Sequence, residues 1–473
     1  MLGNTPIDLL APAVTTRPVD DSRPSGLLAA PVLVAGVVVY ALTLQWVYAT
    51  LVSPEFAYIG YFYSTPPWFV TTFCIAATSA VALLLPRTIT RVSHVIVWVL
   101  LVVCVAPAML MAPYTGYLTS GQAILVSTTV GASFAIVALG VRTAPSRLGA
   151  PKGLRPAFVW AAIAVYSAVT YTLMTATLGL SLRFVQLSEV YDVRDEYKDD
   201  IAGSGALAYM ISPQANIINP YLIAHGLINR KWWLVLVGVF GQYLIYSASG
   251  FKTVLFATPA ILLIAFLFRS RRVPAAHSFV FGSVALMAAS AAADLAQGNS
   301  TLTSLFSRRF LLTPGLLTSV YAKFFGENPQ SHLSHSVLHW WTSSPYDTAP
   351  ALTVGQFMRP GSKLAANANI FADGFANFGY AGFVGVGVLL LVFLRVLDHV
   401  SRGLPLGLAA MVMVMPSITL SNTAILTSLL SHGLAAGVVL LAIIPRPPSA
   451  EGHVPDAEAR PAEPVRSPIG SPS

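Results

Sequence analysis

Residues 367–397 read NANIFADGFANFGYAGFVGVGVLLLVFLRVL, an amide-rich opening that passes at Gly379 into an apolar stretch reaching Leu397 with Arg395 as its one charge. An α-helix needs about 20 apolar residues to cross about 30 Å of hydrocarbon, so this is a membrane span entered from a polar segment. Stretches of the same kind recur at 27–51, 68–85, 92–112, 121–141, 157–180, 203–228, 232–249, 253–268, 276–295, 404–421 and 423–444. The expectation is an all-α integral membrane protein, a polytopic bundle of about twelve transmembrane helices. The weakest boundary lies between 232–249 and 253–268, joined through Ser249-Gly250-Phe251-Lys252, where one kinked or re-entrant hairpin is the alternative to two spans.

Composition agrees. The 473 residues are 55% hydrophobic and 10% charged, with a mean hydropathy of +0.69, whereas a soluble globule carries about 25% charged residues. The two cysteines, Cys74 and Cys104, sit inside apolar stretches and read as small core residues, not as a disulfide or a metal site. No metal or other cofactor is expected. No Walker, GxGxxG or HExxH pattern and no short internal repeat is present, which argues against a nucleotide-driven pump.

The formal net charge of +8 does not imply nucleic acid, because the basic residues are spread through short connections. With a cytoplasmic N-terminus, the alternate connections hold Arg87 and Arg91, then Arg142 to Arg155, Arg230 and Lys231, Arg269 to Arg272, and Arg395 with Arg402. With the tails, that puts about 18 of the 27 basic residues inside, as the positive-inside rule requires. Residues 1–26 read as a loose cytoplasmic tail, 27–445 as the transmembrane domain, and 446–473, rich in Pro, Ala, Glu and Ser, as a disordered cytoplasmic tail. The same register puts 296–378 outside as a large extracytoplasmic loop, together with Leu187–Asp200 and the turn Ser249–Lys252.

The chemistry-bearing side chains gather on that outer side. Arg308 and Arg309 open an apolar stretch containing Phe310, Leu317, Tyr321 and Phe325, which suits a helix lying on the bilayer surface. A guanidinium grips phosphate bidentately, and it also anchors to lipid headgroups. Lys252 sits between two apolar stretches, where an ammonium is costly and generally partnered unless it snorkels to water. His332, His335 and His339 share one side if their segment is helical, and an imidazole is the usual general base for a hydroxyl. Asp373 and Asn377 stand at the entrance to 379–397, where carboxylate and amide suit sugar hydroxyls, although Asn377 also reads as a helix cap. The run 189–200, with Tyr191, Arg194 and Tyr197 among carboxylates, reads either as a solvated face or as a carbohydrate platform.

The chain resembles the Wzy-like oligosaccharide repeat-unit polymerases, the membrane O-antigen and capsular polysaccharide polymerases. The likeness rests on Tyr191-Asp192-Val-Arg194-Asp195-Glu196, on Ser249-Gly250-Phe-Lys252-Thr253, and on Arg309 to Pro314 with Tyr321 to Phe325. It continues through Asn328-Pro329, Ser334-His335-Ser336 and Ala372-Asp373-Gly374-Phe-Ala-Asn377-Phe-Gly379, in that order over roughly residues 180–400. The resemblance implies a fold related to the metal-independent membrane glycosyltransferases, with an outward-facing site that joins undecaprenyl-diphosphate-linked repeat units. Lys252, Arg308 and Arg309 would then hold the diphosphate, Arg194, Tyr321, His332 and Asn377 would join the substrate contacts, and His335 or Asp373 would activate the acceptor hydroxyl. The implied partners are the lipid-linked oligosaccharide, the bilayer and a chain-length regulator, in the cytoplasmic membrane. An O-antigen ligase using the same donor, or a polysaccharide or lipid transporter, are the competing readings.

Overall fold

The computed structural model describes residues 29–143, 149–179, 205–269 and 276–446 together with Leu182, Val185 and Tyr197, and among these every regular element is a helix. The tail 1–26, the tail beyond Arg446, and Arg194 with most of its acidic run lie outside the described residues.

Seven described helices are long and apolar enough to cross a membrane: Ala29–Ile59, Val92–Met111, Ser120–Arg142, Pro156–Leu178, Trp232–Ser249, His277–Gln297 and Ile370–Val400. An eighth is the pair Ile425–Ser431 and Leu434–Ile443 if taken as one span, bent by 55° at His432 and Gly433. Three shorter apolar helices, Trp68–Leu84, Lys252–Leu267 and Leu406–Thr419, occupy further stretches expected to span. The stretch 203–228 holds Gly205–Pro213 and Asn219–Ile228, joined by a π-helical segment, Gln214–Ile218. Trp232–Ser249 and Lys252–Leu267 are two helices in contact, and Gly250, in the left-handed conformation at φ 62°, turns the chain between them.

Burial sorts the helices into layers. Of the most apolar window in Val92–Met111, 94% is buried, so a helix hydrophobic all round occupies the centre. Leu406–Thr419 packs beside it with every residue from Leu408 to Ser417 buried. Pro156–Leu178 lies at the periphery, with only 22% of its window buried and Phe158 and Val165 exposed.

Segment 296–378 departs from the expectation of a soluble loop. Thr301–Thr303, the π-helical Ser304–Leu312 and Thr313–Glu327 run on continuously, and Pro314 to Ala322 are all buried against Ala106–Met111 and Ile370–Val400. The amphipathic pattern read as a surface helix therefore belongs to an interior one. Its polar positions satisfy themselves locally, as Thr318 Oγ1 does by donating to Pro314 O at 2.9 Å.

Ile370–Val400 is also not one rod. Phe378 and Gly379 leave helical geometry, Gly379 at φ 59° and ψ −141°, which only glycine adopts readily. Gly374 and Gly382 would stand about 12 Å apart along a straight helix, yet a Cβ on Gly382 would collide with the Gly374 carbonyl. The chain folds back here, and 380–400 is the part long enough to cross. Gly382→Val should therefore destabilise the protein by about 1–3 kcal/mol or more through overpacking, while Gly385→Val, which meets nothing within 4 Å, should not. Thermal unfolding in detergent compares the two, and equal melting temperatures would refute the close approach.

Candidate functional site

A cavity of about 390 Å³ opens at the end of the bundle where the turn at Gly250, the end of Leu406–Thr419 and the chain entering Ile370–Val400 meet. Gly250, Lys252, Thr253 and Arg309 line one wall. Lys252 is the first residue of its helix, so the helix N-terminus, with its positive dipole end, borders the same space. Asn216, Asn367, Ser421, Asn422, Thr423 and His432 line the remainder with amides, hydroxyls and one imidazole. Tyr197 closes it, its ring 5.1 Å from that of Phe251. Burial pushes the Tyr197 phenol up to about 12, so it is a neutral hydrogen-bonding group at physiological pH. This end of the bundle thus offers two cations and a helix dipole to an anion, beside neutral groups suited to hydroxyls.

The structure brings together only part of the set read from sequence. Arg309 and Lys252 meet across 57 residues of chain. Arg308 does not join them: it is buried, with Nε and Nη2 3.0 and 2.7 Å from Ser304 Oγ and its guanidinium 4.1 Å above the Phe56 ring. Neighbours on a helix point roughly a quarter turn apart, so one arginine of the pair faces the cavity and the other the packed interior. Tyr321 is not a substrate contact. It is fully buried and donates its hydroxyl to Ala366 O at 2.8 Å, and burial together with the nearby Asp373 raises its phenol.

His332, His335 and His339 do not share a helix face, because only His339–Trp341 is helical, as a single 3₁₀ turn. His332 adopts a left-handed φ of 44° and borders a shallow apolar depression with Leu333, Leu338 and Phe378, apart from the cavity. His335 Nε2 lies 2.7 Å from Ser344 Oγ. That hydroxyl gives its proton to Tyr346 O, so His335 must be the donor. Asn377 does not cap a helix starting at 379. The helix begins at Ile370, and Asn377 Oδ1 instead accepts from Leu333 N–H at 2.6 Å while Nδ2 donates to Asp373 O at 2.8 Å. With Ser331 N–H bonded to Ala376 O at 2.8 Å, this clips the histidine loop onto the helix, so Asn377 works as a fastener. Asp373 is half-buried beside Tyr321 and Asn377, and neither it nor His335 lines the cavity. Among the described residues no group of three His, Cys, Asp or Glu side chains is placed to hold a metal ion.

Two residues that the sequence reading passed over organise the site. Asn369 caps the helix at Ile370, its Oδ1 accepting from Phe371 and Ala372 N–H at 2.9 and 3.0 Å, and its Nδ2 donating to Pro314 O and Thr318 Oγ1, both at 2.8 Å. An amide immediately before an apolar helix was the available signal. His432 interrupts the last apolar stretch, and an ionisable group within a span is a functional pointer by default.

Comparison of the chain with protein-family models, curated proteins and solved structures finds no match. Replacing Asn369 by Ala removes a cap, about 0.5–2 kcal/mol, and strands buried partners at about 1–3 kcal/mol each. Asn369→Ala should lower the melting temperature markedly and Asn367→Ala, exposed on the cavity wall, should not. Equal effects would show that Asn369 does not hold these elements together.

Proposed function

We propose that the protein is a membrane glycosyltransferase of the polysaccharide-polymerase kind, joining undecaprenyl-diphosphate-linked oligosaccharide repeat units at the outer face of the cytoplasmic membrane. The observation that carries this reading is the convergence of Lys252, Arg309 and a helix N-terminus on one cavity in an otherwise apolar bundle. A diphosphate leaving group gathers negative charge as its bond to the sugar breaks, and fixed cations in a low-dielectric site stabilise that charge. The neutral wall then suits the acceptor sugar.

In this reading each of the twelve apolar stretches crosses the bilayer, both tails are cytoplasmic, and the fold is related to the metal-independent membrane glycosyltransferases. The side of the cavity supports it. Beside residues of the adjoining spans, its lining comes from the turn at Gly250, from 296–378, from the turn at Ser421–Thr423 and from Tyr197, segments that the basic-residue bias assigns to the outside. Arginines from the other connections meet elsewhere: Arg91 bonds Val141 O and Thr143 O at 3.2 and 3.1 Å, Arg142 bonds Leu84 O at 3.3 Å, and Arg446 bonds Val400 O at 2.6 Å. A chain-length regulator is the protein partner this reading brings with it.

Orientation is tested with Ser343→Cys, an exposed position, since Cys74 and Cys104 are buried. An impermeant maleimide should label it on intact cells, and labelling only after lysis would reverse the topology. Activity is tested with purified protein and the single lipid-linked units that should accumulate when the gene is deleted. Wild type should convert them to a ladder, and Arg309→Ala should slow this by about 10²–10³-fold, the usual loss on removing one transition-state donor. Arg309→Lys should recover little, since a point charge does not reproduce a bidentate grip. Full activity with Lys would reduce Arg309 to a headgroup anchor.

A further inference from the structure

Among the described residues lining the cavity one side chain is an imidazole able to take a proton from a sugar hydroxyl, and it is neither of the groups that sequence reading nominated. The bases suggested by sequence were His335 and Asp373, and neither lines the cavity. No carboxylate stands among its described lining residues, and its one imidazole is His432.

The backbone around His432 is built to hold the ring. Ile425–Ser431 and Leu434–Ile443 break at His432 and Gly433, and Gly433 takes a φ of 91°, closed to residues with a side chain at low cost. A Cβ there would also lie 2.9 Å from Ile217 Cγ1, so the break is seated directly on the π-helical segment Gln214–Ile218. From that segment Asn216 Nδ2 donates to the His432 carbonyl at 3.2 Å. On the ring, His432 Nδ1 stands 3.1 Å from Ser431 Oγ. Two irregular segments are thus locked together where irregular backbone is tolerated only against protein or a cavity, and π-helical turns of this sort are frequent at functional sites.

We propose that the broken hairpin 419–433, with Asn216 beneath it, binds the acceptor sugar, and that His432 is the general base for transfer. This rests on the polymerase reading given above. The acceptor hydroxyl oxygen attacks the anomeric carbon of the donor and a new glycosidic C–O bond forms. The anomeric C–O bond to the lipid diphosphate breaks, its electron pair leaving with the diphosphate held by Lys252 and Arg309. The hydroxyl proton passes to Nε2 of His432, and Nδ1 stays fixed by Ser431. The amides and hydroxyls of Ser421, Asn422 and Thr423 offer donors and acceptors to the remaining sugar hydroxyls.

Among the described residues the other titratable groups lining the cavity are the cations Lys252 and Arg309 and the phenol of Tyr197, raised by burial to about 12. The adjoining helices Gly205–Pro213 and Leu406–Thr419 carry no charged side chain. Ile370–Val400, which also touches the hairpin, carries Asp373 beside Tyr321 and, toward its other end, Arg395, Asp398 and His399. Burial raises the Asp373 carboxyl to about 6, so it also takes up a proton on the acid side. Because Asp373 does not line the cavity, the fall in rate on the acid side is assigned to His432. Asp373→Asn should keep the acid limb that His432→Gln removes, and loss of the limb in Asp373→Asn alone would overturn that assignment.

The test uses full-length protein in lipid nanodiscs, with the lipid-linked units from the deletion strain as substrate and undecaprenyl diphosphate as a binding probe. His432→Gln should slow ladder formation by about 10²–10⁴-fold, the usual contribution of a positioned base, remove the acid limb of the pH profile, and leave binding of the probe within about twofold of wild type. His432→Ala should behave alike and regain part of its rate with added imidazole. Retained rate and acid limb in His432→Gln, with a normal ladder from wild type, would overturn the role of His432 alone. Loss of probe binding in both variants without imidazole rescue would make His432 a structural residue and also overturn it. No ladder from wild type would overturn the polymerase reading, and this inference with it.

Discussion

The side-chain amide of Asn369 and the backbone N–H of Ile370 beside it hold three parts of the molecule in register. The amide caps one helix with its oxygen and grips the first turn of Thr313–Glu327 with its nitrogen, while the neighbouring Ile370 N–H reaches Leu420 O at 3.1 Å. Those three parts lead directly to Arg309 and Thr313, to Asn367, and to Ser421 through Thr423, so the cavity walls are spaced by one fully satisfied buried amide and the backbone N–H beside it. Away from water such a group is strongly held when all its partners are present and costly when any is missing. This makes it a stringent joint between segments that apolar packing alone would let slide.

Irregular backbone does the rest. Apolar helices present few polar atoms sideways, because their backbone groups are consumed internally. The polar atoms of this site come from places where regular helix stops: the left-handed turn at Gly250, the π-helical segments at Gln214–Ile218 and Ser304–Leu312, and the break at His432 and Gly433. The reversal at Phe378 and Gly379 belongs to the same class, and it gives the histidine loop a helix end to clip onto through Asn377. Polar function here follows helix interruption more closely than it follows polar sequence.

The two kinds of cation are used differently. Arg91, Arg142, Arg395 and Arg446 donate to backbone carbonyls at helix ends, with Asp398 in turn accepting from Ser93 N–H and Oγ at 3.0 and 2.7 Å. They close exposed carbonyls and couple neighbouring helices, a structural task that Arg308 shares through Ser304 and Phe56. Lys252 and Arg309 line the cavity, so position, not residue type, separates the cations of the cavity from those that fasten helix ends.

Composition and the length of apolar stretches determined the helical, membrane-type character of the chain, because hydrocarbon thickness and backbone hydrogen bonding leave few alternatives. The turn at Gly250 and the placing of Lys252 and Arg309 on one side were also legible, since a glycine next to a charge between apolar stretches carries its own physical signal. Tertiary structure decided the rest. The pattern from Phe310 to Phe325 could not say whether its apolar side met lipid or protein, because both are equally apolar. The histidine spacing held only on the condition of a helix that the loop does not form. His432 lines the cavity and Asp373 does not, because a cavity is assembled from helix ends far apart in sequence, and local periodicity has no information about which ends meet.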